Sequence, residues 1–178
     1  MDKLKGMDLL KNTFIILVGD HGEAFGEKRE RNHGLFIYDA TIKVPFIVYS
    51  EYGLPKGMTI DARVRLIDVM PTVLDMLKIR QPDKIQGTSL LSYVENKKEE
   101  DLSSYIETYF PREFYGWSEL IGLIHEEWKY IQAPKQELYN LKKDPGEKRN
   151  LVYENKKVSS DLQEKLEKLI EQYSIEKT

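Results

Sequence analysis

In "FIILVGDHGEAFGEKRERNHGLF", residues 14–36, an apolar run is followed at once by Asp20, His21 and Gly22, and a second imidazole–glycine pair, His33-Gly34, comes twelve residues after the first. A carboxylate oxygen and an imidazole nitrogen on adjacent residues suit a divalent cation, provided the backbone turns sharply enough to aim both at one point. Gly22 permits such a turn. The competing reading is a polar turn that happens to contain a histidine, because an Asp-His-Gly triplet recurs by chance. Two of the chain's three histidines fall in this one stretch, and that concentration gives the metal reading of Asp20 and His21 a context that the triplet alone lacks.

The elements that must position these residues read as α/β. Residues 14–18 are apolar and β-prone and are closed by a glycine, the pattern of a strand buried on both faces of a parallel sheet. The Asp-His-Gly triplet then lies beyond the strand's carboxyl end, on a charged loop over 23–35, where α/β sheets keep their sites. Residues 44–50, "VPFIVYS", predict a second strand with Pro45 near its start. Residues 66–79, "LIDVMPTVLDMLKI", predict a helix with Asp68 near the N-cap, Pro71 in the first turn and Val73, Leu74 and Leu77 inward. At the N-terminus Leu4, Met7 and Leu10 fit the end of an amphipathic helix over 2–11.

The charged run "ENKKEED", 95–101, predicts a solvated connection and divides the chain into 1–95 and 96–178. Beyond it, "SSYIETYF", "ELIGLIHE", "WKYIQAP" and "QELYNL" predict four short strands in an antiparallel meander. "SSDLQEKLEKLIEQYS" predicts a closing helix with Leu162, Leu166, Leu169, Ile170 and Tyr173 on one stripe and Ser160 with Gln163 as a capping box.

The chain has 178 residues, 27 basic and 30 acidic side chains, and a formal charge of −3, so no chain-wide field recruits nucleic acid. No stretch approaches the ~20 apolar residues of a membrane span. The absence of cysteine excludes disulfides, thiolate metal sites and a cysteine nucleophile without indicating a compartment.

Four ordered blocks carry a resemblance: "ILVGDHGEAFGE" with "NHGLFIYDATIKVPFIVYS", "RLIDVMPTVLDML" with "IQGTSLL", "WKYI", and "ELYNLKKDPGEKRNL". Together they resemble the later half of sulfatases of the alkaline phosphatase superfamily. The resemblance implies a truncated alkaline-phosphatase-like fold, a mainly parallel sheet flanked by helices, followed by a small antiparallel sheet and the C-terminal helix. It also implies a sulfuric ester hydrolase as the parent activity, Asp20 and His21 as ligands of a divalent ion (calcium by family habit, manganese or zinc among relatives), and His33 at the substrate's sulfate or leaving oxygen. The family's formylglycine, made from cysteine or serine in Cys/Ser-x-Pro/Ala-x-Arg, would lie in an N-terminal half, and no such segment is present in these residues. The chain therefore resembles the C-terminal part of a sulfatase, inactive alone and prone to self-association through an exposed sheet edge. A phosphoester or phosphonate-ester hydrolase of the same superfamily is the enzymatic alternative, and a binding module that kept the fold without the chemistry is the non-enzymatic one.

Other residues draw weaker readings. Glu23 and Glu27 flank the loop as outer acceptors or as plain solvated charge. Asp39, Lys43 and Arg65 are left outside the site. Tyr109, Phe110, Tyr115 and Trp117 border a substrate or fill a small core. Asp144 to Glu147, "DPGE", is a tight turn before it is an acidic site.

Overall fold

The computed structural model describes residues 1–95 and 102–174, and these group into two units: Met1–Asp20 with Val44–Asp101, and His21–Lys43 with Leu102–Thr178. Most of the charged run expected as a linker lies outside the described residues, as does the side chain of Tyr173.

In the first unit, helix α1 (Asp2–Gly6) is followed by a 3-10 turn, Leu10–Asn12, in place of one helix over 2–11. Asp8 takes a left-handed φ of +54° that ends helical propagation, and of the expected stripe only Leu10 is buried. Strands β1 (Phe14–Val18) and β2 (Phe46–Ser50) form a two-stranded antiparallel sheet, with Ile16 opposite Val48 and Leu17 opposite Ile47. This corrects the expected mainly parallel sheet: among the described residues both sheets are antiparallel. The chain re-enters beside the end of β1, where Gly19 N–H bonds to Pro45 C=O at 3.3 Å, so β2 can only run back along β1. The double-sided burial read from the apolar run is also corrected, because Leu17 and Ile47 are more than half exposed.

The predicted helix at 66–79 is a 3-10 turn, Leu66–Asp68, running into α3 (Val69–Met76), with α4 (Leu91–Val94) downstream. Asp68 is buried and its carboxylate accepts from the backbone N–H groups of Arg65 (2.8 Å) and Thr88 (2.9 Å) and from the Arg65 guanidinium (2.8 and 3.1 Å). Asp68 therefore organises the helix entry more completely than a simple cap would. Pro71 and Thr72 are buried, whereas Leu77, expected inward, is 59% exposed, because the helix has ended and Lys78 takes φ +54°.

The second unit is built on the four predicted strands, β3 (Ser104–Thr108), β4 (Leu120–His125), β5 (Trp128–Gln132) and β6 (Glu137–Asn140), in the order β3-β4-β5-β6, each pair antiparallel. A helix not anticipated from sequence, α5 (Phe110–Tyr115), fills the β3–β4 connection. Tyr105, Leu123, Tyr130 and Leu138 stand in one row across all four strands, and Val152, Leu162 and Leu166 cover that row. The last two come from α6 (Lys156–Ser174). This helix starts earlier than its predicted capping box: the C=O of Asn155 accepts from Ser159 N–H at 3.0 Å, so Ser160 lies inside it. On the opposite face Ile131 and Tyr139 pack with Ile37, Tyr38 and Ile42, which belong to the loop between β1 and β2. That loop ends in a helical turn, α2 (Asp39–Ile42), so it is a layer of the second unit rather than a free excursion.

Candidate active site

The loop 21–43 holds its shape through buried contacts that its charged composition does not advertise. Ala24 is 1% exposed and Glu30 2%, against the expectation of an exposed segment over 23–35. The Glu30 carboxylate accepts from Leu35 N–H at 2.8 Å, and burial pushes its carboxyl above the ordinary value against the pull of that bond. Lys28, at φ +52°, lays its ammonium over the rings of Tyr38 and Tyr139, 4.5 and 4.6 Å from their centroids, and donates to the C=O of Glu147. The two phenols donate to Glu137 at 2.9 and 2.6 Å, and burial together with that carboxylate keeps both above their ordinary pKa.

Beneath them lies a charged centre. Lys129, fully buried, sits 2.5 Å from Asp39 Oδ1 and 2.6 Å from Glu147 Oε1; the latter contact is an ion pair out of hydrogen-bond alignment, since Glu147 Oε1 has no hydrogen-bond partner. Glu147 Oε2 accepts the Asp39 N–H at 2.7 Å. Asp39 thus anchors α2 to the sheet. The Asp144–Glu147 stretch is the expected turn, closed by Glu147 N–H to Asp144 C=O at 3.0 Å, and it also sends Glu147 inward, a role that turn chemistry alone does not reveal.

On this base the loop presents three polar side chains together. His21, Glu23 and His33 are exposed and offer ligand atoms within 4.8 Å of one another. The two imidazole rings stack with centroids 3.8 Å apart and planes 27° apart. His21 Nδ1 lies 2.9 Å from Gly22 C=O and His33 Nδ1 3.0 Å from Glu23 Oε2. A carbonyl and a carboxylate only accept, so both Nδ1 atoms carry a hydrogen. Gly22 is required by close approach and not by an unusual φ: a Cβ there would sit 2.3 Å from Ala40 O, and Gly22 N–H bonds to Thr41 C=O at 2.8 Å. Gly34 does need its φ of +101°, and its C=O accepts from Thr108 Oγ1 at 2.6 Å.

Of the residues singled out in the sequence, His21 and His33 are brought together, Glu23 joins them, and Asp20 closes the first unit immediately before His21. Two imidazoles and a carboxylate are donors that a divalent cation accepts. Arg65 pairs with Asp68, and Asp39 with Lys129, as structural contacts. Phe110 stacks on Phe114 at 4.3 Å, while Phe114, Tyr115 and Trp117 are each more than half exposed and do not fill a core. Lys28 and Glu30 escaped the sequence reading, because their weight comes from contacts with residues distant along the chain or from burial of a short segment.

Residues 26–174 match the family model described as N-sulphoglucosamine sulphohydrolase, C-terminal. Arylsulfatase K of Mus musculus is 28% identical over 177 residues, covering 94% of this chain and 32% of its own length; the arylsulfatase of Clostridium perfringens (strain 13 / Type A) is 29% identical over 149 residues, covering 80% and 30%. The chain thus spans about a third of the length of the curated relatives it matches. Among solved structures, BT4656 in complex with its substrate D-glucosamine-2-N,6-O-disulfate superimposes over 99% of this chain and 37% of its own, with a TM-score of 0.84 and 26% identity. The phosphonate monoester hydrolase of Agrobacterium radiobacter shares the fold, with a TM-score of 0.80 and 22% identity over 96% of this chain and 37% of its own. His33, the meander and the closing helix fall within the matched residues, and this chain belongs to the N-sulphoglucosamine sulphohydrolase C-terminal family.

Proposed function

We propose that this chain is the C-terminal portion of a metal-dependent sulfatase, that the whole enzyme hydrolyses a sulfate ester, and that these residues alone turn over nothing because the formylglycine segment lies elsewhere. The observation that carries this reading is the pair of stacked imidazoles, each with Nδ1 held as a donor, in a chain of a sulphohydrolase family. Asp20 and His21 would hold a divalent ion, calcium by family habit; the imidazole nitrogen also suits manganese or zinc. Such an ion, when bound, polarises an oxygen of the ester. His33 faces the sulfate or leaving oxygen and, when protonated, gives up its Nε2 proton as the bond to sulfur breaks. The division at 95/96 remains our proposed boundary in sequence.

The test is turnover by the full-length protein with sulfate, phosphate and phosphonate monoesters side by side, with and without a chelator. Sulfate-ester hydrolysis that is lost on chelation, abolished in Asp20→Ala and His21→Ala, and lowered about 10²–10⁴-fold in His33→Ala is the expected result. The likeness to a phosphonate monoester hydrolase favours a second reading on the same residues; preference for the phosphonate over the sulfate ester would select it.

A further inference from the structure

We infer that Glu23 is the positioning residue of His33, holding the proton on Nδ1 and so presenting Nε2 as the atom that meets the substrate oxygen. The catalytic consequence rests on the reading above; the pairing itself does not. Glu23 Oε2 and His33 Nδ1 are 3.0 Å apart, and the side chains come from residues ten apart whose neighbours are bonded, Ala24 N–H to Asn32 C=O at 3.0 Å. Ala24, 1% exposed, pins one side of that bridge. On the other side Gly34 is held through its C=O by Thr108 Oγ1 at 2.6 Å.

The ring plane is fixed as well. His21 stacks on His33 at 3.8 Å and is itself held by Gly22 C=O at 2.9 Å, so turning the His33 ring would break both the stack and the bond to Glu23. A carboxylate that accepts from one imidazole nitrogen selects the tautomer and orients the other nitrogen, the arrangement by which a third group tunes a histidine in acyl transfer and at metals. Glu23 needs no contact with substrate to do this.

The test has two arms. Long-range ¹H–¹⁵N spectra of this chain, with ¹⁵N-labelled histidine and His33 assigned by its disappearance in His33→Ala, read the tautomer directly. Neutral His33 as the Nδ1–H form, shifting to the Nε2–H form in Glu23→Ala and restored in Glu23→Asp, is the expected result; the Nε2–H form in the unmodified chain, or no change in Glu23→Ala, overturns the inference. In the full-length enzyme Glu23→Ala should lower kcat about 10- to 100-fold with KM within about twofold, and unchanged kcat overturns the positioning role. An intact tautomer pattern in a protein that hydrolyses no sulfate ester would instead overturn the proposed function and leave the Glu23–His33 pairing standing.

Discussion

The two sheets of this molecule manage their apolar surface in opposite ways. The four-stranded sheet is covered on both faces: the row Tyr105–Leu123–Tyr130–Leu138 lies under Val152, Leu162 and Leu166, and the Ile131–Tyr139 face lies under Ile37, Tyr38 and Ile42. The two-stranded sheet leaves Leu17 54% and Ile47 57% exposed, directly opposite each other. A sheet with both faces layered is a self-sufficient core, whereas a two-stranded ribbon is marginal without further partners. The difference locates stability in the second unit, which also carries His21, Glu23 and His33. The proposed cluster of His21, Glu23 and His33 is mounted on the part that holds itself together, while Asp20 belongs to the other unit.

The strongest way to break the comparison is to attack the buried charge under the loop. Lys129→Met leaves the Asp39 and Glu147 carboxylates facing a site without its cation, and the expected loss is about 3–5 kcal/mol of unfolding free energy in urea titration. Adding Glu147→Gln should recover part of it, since an amide oxygen still accepts the Asp39 N–H without a stranded charge. Leu166→Ala, at a position with no exposure on the helix that covers the row, should cost about 2–5 kcal/mol in the same titration. If either change proved neutral, the second unit would not be the stable one.

How legible this was depends on whether the determinant is local. The four strands of the meander were readable because each is a short β-prone piece between turn-compatible stretches, and the C-terminal helix because Leu162, Leu166, Leu169 and Ile170 repeat with the helical period. The apolar run of β1 was readable as a strand but not as antiparallel, since an uninterrupted apolar stretch fits a strand with either neighbour; its partner is set by where Pro45 returns, a property of the whole loop. At the site, His21 and His33 stood out by residue type, and Glu23 was noticed without its role, which exists only because Ala24 and Asn32 are bridged. The ion centre of Lys129, Asp39 and Glu147 joins three residues spread over more than a hundred positions, and no local pattern announces it.

A smaller effect sharpens the contrast from inside the core. Tyr130 Oη is buried and has no hydrogen-bond partner among the described residues, and burial raises its phenol above the ordinary pKa. Removing an unsatisfied buried hydroxyl relieves a desolvation cost while keeping the ring in its row. Tyr130→Phe should therefore leave stability unchanged or raise it by about 1 kcal/mol, measured by thermal and urea unfolding.

The smallest change in stability is expected at the other sheet, and there association is the quantity to measure. Leu17 and Ile47 are exposed cross-strand partners, so lysines in their place bury no charge and should move the unfolding free energy by no more than about 0.5 kcal/mol. The same apolar ribbon is an invitation to a second copy when nothing else covers it. The chain by itself should therefore self-associate in a concentration-dependent way by sedimentation, and Leu17→Lys with Ile47→Lys should return it to the monomer. In the full-length protein, the same pair should instead reduce stability if strands elsewhere in the polypeptide pack on this face. Lysines that left association untouched in the isolated chain, and stability untouched in the whole protein, would mean that the ribbon is simply solvent-facing, and the contrast between the two sheets would concern their size alone.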